Sequence, residues 1–295
     1  VRIPAIVLFS LGVSVAFGVE TSRSDEIVTS ARSLVDASRL PEAREPLEIL
    51  LKREPDNIEA ALLLAEVYHG LGRRDQAITL LEPFLERHPD NARLIGTYGG
   101  QCLLRAGELG FGLRALRLAR RGRDRMERAV ALAPQEIAYR EGLVEFYRQA
   151  PSMAGGDLAK ARHHAEAIAR IDPVRGGAWQ ASILVQEKKF PEALAACDTA
   201  LAARPDDYVA LFTLGRTVAE SGLRLDDGEA ALRRCLERTP AASEPRHADV
   251  WFRLGLIAER RGDLRAAREA YGRSLELEPG SNRTAEALKR LGKSG

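Results

Sequence analysis

The sequence predicts an all-α protein, an α-α superhelical solenoid of about seven helix pairs with a C-terminal capping helix. Three observations predict it. The residue types are those of helices, prolines recur at a near-constant spacing, and one apolar pattern precedes every such proline in the same register. Ala, Leu, Arg and Glu predominate in a chain of 295 residues that is 45% hydrophobic and only 5% aromatic, and all four are strong helix formers. The period-2 alternation of β-branched residues that marks half-buried strands is scarce beyond residue 20.

The chain opens on residues 3–18, IPAIVLFSLGVSVAFG, an uncharged apolar run preceded by Arg2. Ala16 and Gly18 supply small residues at the spacing of a signal-peptidase site, and charge begins at Glu20. As a helix the run would reach about 24 Å, short of the roughly 30 Å hydrocarbon core of a bilayer. The expectation is a signal peptide at 1–18, a mature chain beginning near Val19, and export to the periplasm. The alternative is an anchor in the cytoplasmic membrane formed by residues 3–18. Residues 19–23 read as a short linker.

The repeats follow. Amphipathic segments end at Pro55, Pro89, Pro134, Pro173, Pro205, Pro240 and Pro279, spaced by 34, 45, 39, 32, 35 and 39 residues. Twelve residues before each proline stands a small residue: Ala43, Ala77, Gly122, Ala161, Ala193, Gly228 and Ala267. Eight before it come Leu47, Leu81, Met126, Ala165, Cys197, Leu232 and Tyr271. Five before it come Leu50, Phe84, Ala129, Ile168, Ala200, Cys235 and Ser274. Offsets of four and three place these positions on one helix face. The small residue lets a second helix approach closely, and the proline ends the helix because it cannot donate the next hydrogen bond.

This pattern resembles the tetratricopeptide repeat, a 34-residue helix–turn–helix unit. The last unit carries it most fully, through Trp251, Leu254, Gly255, Ala258, Gly262, Ala267, Tyr271, Leu275 and Pro279. The second carries it through Leu64, Ala65, Tyr68, Ala77, Leu81, Phe84 and Pro89. The resemblance implies a repeat array over 24–281, with units at 24–57, 58–91, 92–136, 137–173, 174–207, 208–240 and 248–281. Residues 282–295 are expected as a polar capping helix that closes the last apolar face. The third unit carries about eleven extra residues, placed in or beside GELGFG at 107–112. The fourth is longer around APSMAGGD at 150–157, where Asp157 is positioned to cap the next helix.

In such a stack the first helices line a concave groove. The repeat register puts Arg32, Glu66, Glu141, Glu145, Arg148, Gln186, Phe212, Arg216, Glu220, Phe252, Glu259 and Arg260 on it. Charge mixed with a few rings suits a protein or peptide partner better than a small apolar ligand, with Phe212 and Phe252 as anchors. Members of the family that bind chaperone tails grip a terminal carboxylate with Lys and Asn on their first helices. The matching positions here hold Val28, Arg32, Leu62 and Glu66, so that clamp is absent. A second candidate surface is a stripe of Arg114, Arg117, Arg121, Arg125 and Arg128, which fall within an arc of about 80° at helical spacing. Leu116, Ala119, Met126 and Val130 occupy the opposite side.

Other classes are disfavoured. The net charge of +2, from 44 Lys+Arg against 42 Asp+Glu, gives no global attraction to nucleic acid. Aromatics for base stacking do not interleave the stripe. No HExxH, GxSxG or P-loop spacing occurs, so neither catalysis, a metal nor a cofactor is expected. Cys102, Cys197 and Cys235 stand far apart outside any CxxC spacing and read as small apolar core residues. The expected function is an exported protein–protein interaction scaffold that binds its partner in the groove. The alternative is an accessory subunit of a cell-envelope enzyme or polymer-handling complex that meets an anionic partner through the stripe. Membrane contact is expected only if the N-terminal segment is retained.

Overall fold

A computed structural model describes residues 14–241 and 244–292. Most of the expected signal segment, residues 1–13, lies outside the described residues, as do residues 242–243 between the sixth and seventh units and 293–295 of the cap. The described residues form fifteen α-helices, one short 3₁₀ turn and no strand. The helices pair as α1 (Ser14–Asp36) with α2 (Leu40–Arg53), α3 (Ile58–Gly70) with α4 (Arg74–Arg87), and α5 (Ala92–Leu109) with α6 (Leu113–Leu132). Then come α7 (Ile137–Gln149) with α8 (Leu158–Ile171), α9 (Pro173–Gln186) with α10 (Phe190–Ala203), and α11 (Tyr208–Ser221) with α12 (Leu225–Leu236). The seventh pair is α13 (His247–Arg261) with α14 (Leu264–Leu277), and α15 (Asn282–Gly292) is the cap. Among these helices none is long and apolar enough to cross a membrane.

The pattern read from the prolines is the packing pattern. Every residue twelve, eight and five positions before a repeat proline is buried, from Ala43, Leu47 and Leu50 to Ala267, Tyr271 and Ser274. In six of the seven units the proline stands two residues beyond the last helical residue. Pro173 does double duty, because it is also the first residue of α9, where its missing N–H costs nothing. Turns after the prolines start the next helix with side-chain caps: Asn57 accepts from Ala60 N at 3.0 Å, Asn91 from Leu94 N at 3.1 Å and Asp207 from Ala210 N at 3.0 Å. Asp157 caps α8 in the same way through Ala159 N and Lys160 N.

Two compact units divide the chain, one up to Pro134 and one from Gln135 on. In the first, Ala31, Ala43, Leu47, Leu50, Leu63 and Leu64 belong to a core spanning α1 to α3. Its extra residues do not make a loop. The helices α5 and α6 run 18 and 20 residues against 13 and 14 for α3 and α4, joined by a turn of three residues with Gly110 and Gly112 at positive φ. The insertion therefore lengthens both helices, while Gly99 still packs against Gly122 and Met126 at the ordinary repeat positions. In the second unit one core runs through α9 to α14, with Leu194, Leu211, Val218, Leu232 and Ile257 among its members. Cys102, Cys197 and Cys235 are all buried free thiols. Burial pushes their pKa values up to about 11, 11 and 12.

Candidate functional site

Opposite charges one repeat apart organise the exposed faces. In the first unit Arg32 on α1 pairs with Glu66 on α3, and Arg93 on α5 grips Glu59 on α3. In the second, Arg175 on α9 reaches Glu141 on α7, whose Oε1 also accepts from Trp179 Nε1 at 3.0 Å. Arg283 on α15 reaches Asp249 on α13. Each of these four ion pairs joins residues 34 positions apart, one repeat length. Each is exposed enough to be worth well under about 1 kcal/mol, so their effect is to set register between neighbouring pairs of helices.

The arginine stripe is largely spent in this way. Arg114 binds Asp75 at 3.0 Å, Arg128 binds Asp90 at 2.7 Å, and Arg121 donates to Glu82 at 3.1 Å and to the Tyr98 hydroxyl at 2.9 Å. Its acceptors belong to α4, to the turn after it and to α5. The expected open anion-binding face is thereby reduced to Arg117 and Arg125, which are exposed and carry no ion pair among the described residues.

The two expected aromatic anchors are also placed otherwise. Phe212 is only 8% exposed and belongs to the core of the second unit. Phe252 is half-buried, with its ring 5.6 Å from Tyr271 and the Arg283 guanidinium 4.6 Å above it. Rings on first helices seal the seams to the neighbouring helices, since that burial removes more apolar surface from water than exposure in a groove would allow. Glu259 is engaged by Arg290 at 2.9 Å and by the Tyr271 hydroxyl.

The remaining expected residues converge. Asp172 starts α9 by accepting from Val174 N at 2.9 Å and Arg175 N at 3.1 Å, which fixes the phase of Ser182 and Gln186. α11 packs closely on α12 because Gly215 leaves room for Leu232, and Gly222 ends it at φ 76°. The helices α7, α9 and α11 then frame a recess of about 460 Å³. α7 contributes Arg148 and Gln149, α9 contributes Ser182, Val185 and Gln186, and α11 contributes Arg216 and Glu220. Arg148 binds Glu145 at 2.8 Å, and Gln186 Nε2 donates to Arg148 O at 3.0 Å. Glu220 takes Arg253 at 3.1 Å, while its main-chain oxygen accepts from Arg260 at 2.8 Å. Arg216 donates to the Ser182 hydroxyl. Burial lowers the pKa of the Arg216 guanidinium, an effect that Glu220 opposes and Arg148 reinforces.

Ser182, Gln149, Val185 and Arg253 were missed in the sequence reading. A signal for two of them existed: Ser182 stands 34 positions before Arg216, and Arg253 stands 33 after Glu220. Among the described residues no group of three or more His, Cys, Asp or Glu is placed to hold a metal ion.

Stacked helix pairs that present mixed charge along their first helices define a helical-repeat scaffold for protein–protein interaction. Models of the tetratricopeptide repeat match residues 34–96, 152–208, 179–240 and 248–281, and the chain belongs to the tetratricopeptide repeat family. It is 32% identical over 143 residues, 46% of its length, to cellulose synthase operon protein C of Pseudomonas fluorescens (strain SBW25), covering 11% of that protein. It is 38% identical over 72 residues, 24% of its length, to bacteriophage adsorption protein A of Escherichia coli (strain K12), covering 7% of that protein. The chain thus matches about a tenth or less of the length of these curated relatives. A tetratricopeptide repeat protein from Parabacteroides merdae has a crystal structure alike in fold, with a TM-score of 0.66 and 14% identity over 91% of this chain and 98% of that one.

Proposed function

We propose that this chain is an exported scaffold that holds a segment of a partner protein against the first helices of residues 135–295. The recess framed by α7, α9 and α11 is the observation that carries this reading. In the residues up to 134 the first helices meet through one-to-one pairs such as Arg32–Glu66 and Arg93–Glu59. From α7 to α11 the pair Arg175–Glu141 is followed by an opening, and Gln149 and Gln186 stand exposed at its edge. Export is supported by the uncharged run at 3–18 followed by small residues. N-terminal sequencing of the protein from a periplasmic fraction should read from near Val19, and an intact N-terminus in membranes would reject cleavage.

A second reading, an accessory subunit of an envelope polymer-handling complex, is supported by the similarity to part of a cellulose synthase operon protein. One experiment separates the two. A photo-crosslinking residue is placed at 149 or 186 on the recess, and at 117 or 125 on the stripe, and adducts are identified from envelope extracts. Protein adducts from 149 and 186 support the groove. Adducts confined to 117 and 125 reject it and favour the stripe.

A further inference from the structure

We infer that the tip of the α5–α6 hairpin docks on an anionic lipid surface, with Phe111 and Leu113 entering the headgroup region and Arg117 and Arg120 holding lipid phosphates. The inference is independent of the recess and of residues 3–18. It starts from where the third unit is longer. The helices α3 and α5 begin 34 positions apart, at Ile58 and Ala92, so the end of α3 at Gly70 corresponds to position 104. α5 continues to Leu109, five residues further. α4 begins three residues before Ala77, whereas α6 begins nine before the equivalent Gly122, six residues further out. At their other ends α4 and α6 both stop two residues before their proline. The added length therefore lies at the turn end, where the hairpin stands about 8 Å beyond the turn between α3 and α4.

The extension ends in apolar side chains that the described chain leaves uncovered. Phe111 is 79% exposed and Leu113 73%, the two highest values among the large apolar side chains of the described residues. A Cβ placed on Gly107, Gly110 or Gly112 would meet no neighbouring atom within 4 Å. Charge continues from the tip along one helix face. Leu113, Arg117 and Arg120 are spaced i, i+4, i+7 on α6, and both arginines are exposed. Neither carries an ion pair among the described residues. The acids nearby are already shared out: Asp75 between Arg105 and Arg114, and Glu108 between Arg74 and Arg105. Five arginines (74, 105, 114, 117 and 120) thus stand against two acids, a surplus of three positive charges. Two apolar side chains on a turn cover far less than the roughly 800 Å² that each partner gives to a standard protein interface. Interfacial lipid contact asks only for a few apolar groups with basic residues beside them. Phosphates accept the guanidinium forks, and an aromatic ring settles at headgroup level. Such a contact is shallow and requires no membrane-crossing helix.

The test uses the full chain with an environment-sensitive fluorophore on a cysteine placed at the tip, Leu113→Cys. Glu86→Cys, exposed near the opposite end of α4, is the control. The native thiols are buried and stay unlabelled. The probes are vesicles of phosphatidylcholine alone and of phosphatidylcholine with an equal part of phosphatidylglycerol. On the anionic vesicles the label at 113 should brighten, be quenched by nitroxide-bearing lipid, and lose its response as salt is raised. The label at 86 should stay silent. Phe111→Ser in the labelled chain should weaken binding about fivefold or more. Arg117→Gln with Arg120→Gln should weaken it about tenfold or more, the scale of two basic residues at an anionic surface. All three positions are exposed, and circular dichroism checks that the variants keep their helices. Vesicle binding with position 113 unresponsive would put association in residues 3–18 and overturn the inference. An equal response on phosphatidylcholine alone, or an unchanged affinity in both variants, overturns it too. A response at 113 that grows with protein concentration without vesicles would assign the tip to a second copy of the chain. A photo-crosslinker at 111 that gives one protein adduct and no lipid adduct from envelope extracts would assign it to a protein partner instead.

Discussion

The contact between α11 and α12 offers a quantitative test of how the recess is built. A Cβ added at Gly215 would lie 2.3 Å from Leu232 Cγ and 2.6 Å from its Cδ2, well inside van der Waals contact. Leu232 is fully buried within the core of this unit. Gly215→Ala should gain about 1 kcal/mol of helix propensity. It should lose about 1–3 kcal/mol to overpacking. The loss should win, because the clash involves the branch carbon of a buried side chain, leaving up to about 2 kcal/mol of net destabilisation. Leu232→Ala alone should cost about 2–5 kcal/mol by opening a cavity. In the double variant the new methyl enters the vacated space, so the combined cost should fall at least about 1 kcal/mol short of the sum. Urea unfolding followed by tryptophan fluorescence is suited to the measurement, since both tryptophans, Trp179 and Trp251, lie in the unit from Gln135 on. Additivity within about 0.5 kcal/mol, or a Gly215→Ala variant more stable than the parent, would refute the packing account.

Two further outcomes follow from burial and charge. The three thiols should stay unreactive to a disulfide reagent at pH 8 in the folded protein and react together in denaturant, because burial raises each pKa to about 11 or 12; a thiol titrating in the native state would contradict this. Burial pushes the Asp172 carboxyl up, but backbone donation from Arg175 and the Arg204 guanidinium outweigh it, and its pKa is lowered on balance. Its stabilisation is thus fully present above the unfolded value of about 4 and is lost as pH falls through the lower folded value. Asp172→Ala should cost about 1–2 kcal/mol near neutrality, Asp172→Asn less, and the difference from the parent should shrink below pH 4; a difference independent of pH would count against the cap and ion pair.

Part of the site was legible because a repeat register is a spatial register. Glu141, Glu145, Arg148, Gln186, Arg216 and Glu220 fall on first helices at related positions, and those are the residues that gather around α7, α9 and α11. Phe212 and Phe252 fit the same register yet are buried or covered, because a ring next to a seam is drawn into it. The arginine stripe misled for a related reason. Helical spacing places five guanidiniums on one face, but it carries no information about the acids of α4 that lie beside that face in the folded unit.

The fold class, the seven helix pairs and the cap were written in local chemistry. Helix formers, prolines and small residues at fixed offsets act within one or two turns, so their effect can be read along the chain. The same holds for the caps at Asn57, Asn91 and Asp157. Which charges cancel and which remain was decided only by tertiary packing. Arg114, Arg121 and Arg128 find carboxylates 38 or 39 positions away, and Arg216 finds a serine hydroxyl 34 positions away. Coulomb energy depends on separation in space and on how far water is excluded, and neither quantity is set until helices from different repeats have packed.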